Sequence, residues 1–306
     1  MATRTATITT VQALLQINTS ILASTDAGIA IDNAVMEYSK DRPFEVVDHL
    51  EGQSVFEYDI AYYLSNWIED FSVVKDVEYP AHSQTPQLID DIDWEVYKYD
   101  TSAYTLGTAA SAGTTVTMST VTQAVFFKDD NAVYITDGTD SEVNWLTADG
   151  NTTSGVLTLK NALSQAYTGT GAQISHRTVL RFPYYEPSTA EIIRVIYTSY
   201  HTLSDAADTI PAADYKAVTF LAAAYAAYMI SAKYAKSTDS SISADSVDYL
   251  NKVDQWQQVG NKYIKMYQDH LGIPSDGSPR AASNMKDWDL FYSWGTDMLF
   301  HPRRWR

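Results

Sequence analysis

Apolar positions recur at helical spacing in three regions of the chain and alternate at strand spacing in most of the rest. Near the N-terminus, Val11-Gln-Ala-Leu-Leu-Gln-Ile17 follows Thr10, whose hydroxyl suits an N-cap, and predicts a first helix. A second helix is predicted from about Ser24 to Asp26 onward, because Ile31, Ala34, Val35 and Tyr38 fall on one face. Pro43 stops it, since the residue before a proline avoids the helical region. From Phe44 the period shortens. Glu45–Leu50 and Ser54–Ile60 flank Glu51-Gly52-Gln53, the pattern of a β-hairpin. Residues 61–67 read as a short helical turn. Phe71–Tyr79 before Pro80, and Trp94–Tyr99 after the acidic Asp90-Asp91-Ile92-Asp93, read as strands.

Near residue 101 the composition turns to Thr, Ser, Gly and Ala. Short runs at Thr114–Met118, Ala132–Thr136, Glu142–Thr147 and Val156–Leu159 are separated by Asp137-Gly138 and Asp149-Gly150-Asn151. Such spacing predicts a small barrel or sandwich, read here as a separate β-module inserted in a host fold. Beyond it, Thr178–Phe182 and Glu191–Tyr200 are strand-like. Thr209-Ile210-Pro211 then opens an Ala-rich helix to about Ala235. A further helix is expected from about Ala244 to Leu271, capped by Ser243 or Asp245 and stopped by Gly272 and Pro274. On it Val253, Trp256, Gly260, Tyr263 and Tyr267 repeat at 3-4-3-4 spacing, an a/d-type seam. The two helices are expected to form a long antiparallel hairpin. The expected class is therefore α+β. A core of 1–100 and 177–272 combines the hairpin and an N-terminal helix with a small antiparallel sheet. Residues 101–176 are the β-insert and 273–306 an extended C-terminal tail.

That tail changes character twice. Pro, Ser, Gly and Asp dominate its start, and aromatic and basic residues its end: Trp288, Phe291, Tyr292, Trp294, Phe300, Arg303, Arg304, Trp305 and Arg306. No regular period holds these aromatics, and Trp and Arg are the usual anchors of protein interfaces. The segment reads as one that docks on a partner.

Composition narrows the function classes. The 306 residues are 45% hydrophobic, enough for a packed core. No run of about 18 apolar residues is present, so no membrane span is expected. The start lacks a basic region feeding an apolar one, so no secretory signal peptide is expected. Cysteine is absent, which excludes disulfides, zinc–thiolate sites, iron–sulfur clusters and cysteine nucleophiles. The net charge of −17 is the opposite of a duplex-binding footprint and suits a surface to which DNA does not adhere. With 22 Tyr and 7 Trp against 9 Phe, the aromatics are weighted toward those that tolerate a half-wet surface.

Catalytic patterns are missing. No phosphate-binding loop, H-E-x-x-H or nucleophile elbow occurs. His49, His82, His176, His201, His270 and His301 are scattered, with no i, i+4 pair. Asp90, Asp91, Asp93 and Glu95 read as a solvated acidic face, and Asp129, Asp130, Asp137 and Asp140 as turn residues. Neither enzyme activity nor a cofactor or metal is expected.

In their order along the chain, several of these segments resemble the tailed-bacteriophage head–tail connector proteins, also called adaptor or head-completion proteins. The resemblance rests on Asp26–Val35 through Tyr38–Pro43, on Phe71–Val74 to Pro80 followed by Asp90-Asp91, and on Ile193–Thr198 ahead of Thr209-Ile210-Pro211 and the Ala-rich helix. It continues through Ala244–Asp248 and Tyr267–Leu271, and so spans most of 24–272. Tyr134–Gly138, Glu142, Leu157–Leu159, Leu163 and Gly171-Ala172 are similar to small β-modules of phage neck proteins. The resemblance implies a non-enzymatic virion protein at the head–tail interface, assembled in the host cytoplasm. About twelve copies would close into a ring through head-to-tail contacts. The tail would dock on the portal protein, a tail or stopper protein would bind below, and double-stranded DNA would pass the lumen without specific binding. No membrane is involved. The rival class is a carbohydrate-binding or glycan-cleaving protein, or a tail or fibre-attachment component with a carbohydrate-binding β-module. That rival requires exposed aromatics among Tyr104, Phe126, Phe127, Tyr134, Trp145 and Tyr167.

Overall fold

A computed structural model describes residues 3–81, 88–89, 93–109, 112–167, 171–235 and 249–273. It is a mixed helix-and-sheet protein in which every strand pair among the described residues is antiparallel. The chain divides into two compact units, one of residues 1–4 and 32–210 and one of 5–31 and 211–306.

Among the described residues the strand-rich unit holds three sheets. The first has the order β1 (Phe44–Glu51), β12 (Ile192–Ser199), β3 (Val74–Glu78). The second has the order β2 (Glu57–Asp59), β11 (Thr178–Arg181), β4 (Glu95–Lys98). The third has six strands in the order β8 (Ser141–Trp145), β7 (Ala132–Thr136), β10 (Gln173–Ser175), β5 (Ala103–Ala109), β6 (Thr115–Met118), β9 (Val156–Thr158). Its two edge strands meet. Leu146 bridges Leu159, Thr147 N–H donates to Thr158 O at 3.0 Å and Lys160 N–H to Trp145 O at 2.8 Å. The sheet thus curls until its edges touch, which leaves little open ladder for another chain. Its interior is filled by Leu106, Val116, Phe127, Ile135, Leu157 and Ile174.

The predicted hairpin across Gly52 is not formed: β1 pairs with β12, and β2 pairs with β11 in another sheet. Gly52 is instead a point of close backbone approach. A Cβ there would lie 1.9 Å from Ser188 O. Gly52 N–H donates to Glu191 O and Ser54 N–H to Pro187 O, and Ser54 takes a φ of 53° as the chain passes from one sheet to the next. The predicted helical turn at 61–67 shortens to α3 (Ile60–Tyr63), capped by Asp59, whose carboxylate accepts from Tyr62 N–H at 2.9 Å.

The six-stranded sheet has its own core, but Ala132 and Trp145 face the other way. Ala132 and Trp145 join the cluster of Tyr58, Val179, Leu180 and Phe182. Buried Glu57 completes the joint. Its carboxylate accepts from Tyr99 Oη–H at 2.6 Å and Ala132 N–H at 3.0 Å, and its main-chain oxygen accepts from the Trp145 indole at 2.6 Å. Tyr99 in turn accepts from Asn131 Nδ2 at 2.9 Å. Arg181 stands 3.8 Å away, a neighbouring charge and not a hydrogen-bond partner. Burial pushes the Glu57 carboxyl above the usual range, against Tyr99, Ala132 N–H and Arg181, which pull it down.

The second unit contains α1 (Arg4–Leu14, of which Arg4 falls to the first unit), α4 (Tyr215–Ala235) and α5 (Tyr249–Leu271). The intervening α2 (Ser24–Asp41) is divided between the units at Ile31 and Asp32, and Pro43 follows its end as expected. α1 begins well before the expected Thr10 cap. Thr9 and Thr10 hydroxyls donate back to Thr5 O at 3.2 Å and Ala6 O at 2.8 Å, so the threonines sit inside the helix by bonding to the preceding turn. α4 begins four residues after Pro211, whose carbonyl accepts from Asp214 and Tyr215 N–H in a preceding turn. At α5 the stop is as expected: Gly272 takes a φ of 68° and Ile273 N–H donates to Gln268 O at 2.9 Å. The expected caps Ser243 and Asp245 lie outside the described residues.

Replacing Glu57 by Ala removes the acceptor for two buried donors. Glu57→Ala is expected to cost about 2–3 kcal/mol, read from urea unfolding of the full chain, whereas Glu95→Ala on exposed β4 should change stability by less than about 0.5 kcal/mol.

Candidate functional site

α4 and α5 pack side by side with their contacts in opposite order. Ser231 Oγ donates to Val253 O at 3.1 Å, Tyr228 Oη to Asn261 Oδ1 at 2.6 Å, and the Phe220 and Tyr263 rings lie 5.9 Å apart. His270 Nε2 lies 3.0 Å from Ala213 O. The Ala-rich face of α4 makes this possible: Ala222, Ala223, Ala224, Ala226 and Ala227 are all buried. α1 joins the same group. Thr7 Oγ1 and Tyr215 Oη are 2.6 Å apart, and Tyr263 Oη donates to Leu14 O at 2.9 Å.

All five predicted seam residues fall in this group, in different surroundings. Gly260 and Tyr267 are buried. Gly260 is where α5 comes closest to α4, for a Cβ there would lie 2.7 Å from the Tyr228 ring. Val253, Trp256 and Tyr263 are only half-buried, as are Val259 and Met266 on the same helix. Together with Leu14, Leu15 and Phe220, most of these border a cleft of about 380 Å³, edged by Lys262. The apolar stripe of α5 is thus wider than its contact with α4. Its outer part forms an aromatic-lined cleft with the end of α1, a helix the 3-4 spacing on α5 could not reveal.

The predicted tail residues Trp288, Phe291, Tyr292, Trp294, Phe300, Arg303, Arg304, Trp305 and Arg306 lie outside the described residues. So do His82, His301, Asp90 and Asp91. Of the other histidines, His176 is buried with its ring nitrogens 3.3 and 3.2 Å from Ala132 O and Phe126 O. Burial lowers its pKa. His201 is buried against Tyr38, with Nε2 3.0 Å from Arg42 O. Within the insert, Phe127, Trp145 and Tyr167 are buried, the Tyr134 ring is covered by Arg177, and Phe126, 56% exposed, stacks on Tyr104.

The strand-rich unit holds two buried acids that sequence patterning did not single out. Glu57 and Asp59 flank Tyr58 on a three-residue strand buried throughout, too short to show a period. The Asp59 carboxyl, 3% exposed, is pushed up to about 6 by burial, against the pull of Arg177 and the N–H groups of Tyr62 and Ala61. No protein-family model matches the chain, and no curated protein matches it.

Gly260→Leu is expected to overpack the contact with Tyr228 and lower stability by about 1–3 kcal/mol in thermal unfolding. The raised Asp59 pKa has a definite sign. The folded state holds this proton more tightly than the unfolded chain, so Asp59 makes stability fall as pH rises from about 4 to about 6. Asp59→Asn should remove that component, so the variant gains on the parent by about 1–3 kcal/mol across the window in urea titrations at several pH values.

Proposed function

We propose that this chain is a structural, non-enzymatic protein of a tailed-phage virion. About twelve copies would form a ring in the neck that joins the portal to the tail and lets double-stranded DNA pass through its lumen. The supporting observation is the α5 stripe: Trp256, Val259, Tyr263 and Met266 stay half-buried beside an apolar cleft, on a helix whose inner face is already packed. An aromatic-lined helix face of this kind is what a neighbouring subunit covers. In this reading α4 and α5 are the arms of a long helix hairpin in the connector core, 101–176 is the inserted β-module, and 273–306 docks on the portal. A stopper or tail protein binds the opposite side of the ring. The net charge of −17 keeps passing DNA from adhering.

The rival reading, a tail or fibre-attachment component with a carbohydrate-binding module, has less support. Phe127, Trp145 and Tyr167 of the insert turn inward, where no sugar can stack on them.

Negative-stain imaging and native mass spectrometry of the purified chain, alone and with portal, test the proposal. Closed rings and portal-bound rings are expected. A chain ending after Pro279 should stay folded and soluble yet lose portal attachment, and combined Arg303→Ala, Arg304→Ala and Trp305→Ala should weaken it in part. A chain that stays monomeric at high concentration and ignores portal overturns the ring. Full-strength portal binding by the truncated chain overturns the role of the tail alone.

A further inference from the structure

The strand-rich unit contains a second cleft, of about 460 Å³, where β10 and β11 pass from the insert to the sheet below it. Arg177 projects there between two holds. Its guanidinium lies over the Tyr134 ring at 4.5 Å, and its Nε is 3.7 Å from the Asp59 carboxylate, beyond hydrogen-bond distance. The side chain is 30% exposed, and the guanidinium makes no hydrogen bond to any described residue. A guanidinium carries five N–H donors in a planar fork. This one is oriented by its neighbours without its donors being used.

The acids nearby already have partners. Glu69 accepts from the Trp67 indole at 3.0 Å and from the Thr178 hydroxyl at 2.6 Å, and pairs with Lys98 at 3.0 Å. Asp59 accepts from Tyr62 N–H and forms an ion pair with Arg177 at 3.7 Å, which holds the guanidinium without using its N–H donors. Ser175 and Thr101 also line the cleft, and their hydroxyls make no hydrogen bond to described residues. The cleft therefore presents a held cationic fork and two hydroxyl donors, with its own carboxylates occupied.

We propose that this cleft binds a carboxylate, with Arg177 as the bidentate anchor and the Ser175 and Thr101 hydroxyls beside it. A planar two-oxygen acceptor matches the fork better than a spherical anion. The field of a chain with net charge −17 opposes polyanions such as nucleic acid, so the ligand is a single compact carboxylate. Two sources share that chemistry: a small free acid, or an acidic side chain of a second copy. The site stands whether or not the chain forms a ring.

The full chain is titrated with acetate, D-glucuronate and neutral D-glucose at constant ionic strength by calorimetry. Sedimentation is followed with and without acetate, for the parent, Arg177→Lys and Arg177→Ala. A free-acid site gives saturable heat with acetate or glucuronate but not glucose, weakened about tenfold or more in Arg177→Lys and lost in Arg177→Ala, with sedimentation unchanged. A second-copy source gives self-association that acetate reverses and both variants lose. Circular dichroism of the variants, matching the parent, separates either result from misfolding. The proposal is overturned if no carboxylate binds up to about 50 mM and sedimentation ignores Arg177, or if binding survives in Arg177→Ala.

Discussion

The Glu57 carboxylate is buried where the sheet β2–β11–β4 meets the curled six-stranded sheet, and both depend on it. One oxygen takes the Tyr99 hydroxyl from one sheet's border and the other takes the Ala132 N–H from the other sheet. Its backbone oxygen fixes the Trp145 indole, so a large apolar surface is held at the joint by a directional bond. Removing any one partner strands a buried donor or acceptor. That asymmetry makes such a network specify a single docking of one sheet on the other. The two sheets are thus joined by side chains as well as by the strands that run from one to the other.

The helical unit solves the opposite problem. A run of alanines on α4 and Gly260 on α5 let two helices approach closely with little side chain between them. Close approach buries backbone and small groups, and leaves the large residues of α5 at the flank of the contact. Trp256, Tyr263 and Met266 end up beside the joint, and the α1 end at Leu14 and Leu15 turns that flank into a cleft.

Periodicity made much of this legible. The α5 stripe, the end of α2 at Pro43, the α5 stop at Gly272 and most strands of the insert all follow from local pattern, because burial on one face imposes a period that a single chain displays. β5 escaped because Thr, Gly and Ala alternate too weakly there, and β10 because three residues, Gln-Ile-Ser, are too few to show a period. The Gly52 hairpin failed for a physical reason: glycine serves a tight turn and a backbone-to-backbone contact equally well, and only the fold shows which. Thr10 failed because a threonine hydroxyl can cap a helix or bond back within it. Glu57, Asp59 and Arg177 were illegible for a deeper reason. A polar residue is buried or aimed into a cleft by contacts from distant segments, and nothing in its own neighbourhood records that. The seam half of the candidate site was therefore visible in advance, and the α1 wall and the Arg177 cleft were not.

The way β4 and β5 run on into one another, opposite β10 and β11, bears on how the chain reaches its native state. Lys98 lies opposite Thr178 and Ala103 opposite Ser175, so one two-stranded ribbon crosses from the lower sheet into the insert. Measured along the chain, β4 and β11 are about eighty residues apart, a costly closure for an open coil. Once β5 has found β10, the remaining gap is a few residues on each side, and the distant pair becomes a nearly local one. The two pairings thus share one closure, and forming either ladder lowers the entropic cost of the other. A segment that looks, on the linear sequence, like an interruption of the lower sheet is therefore coupled to it through one continuous ribbon.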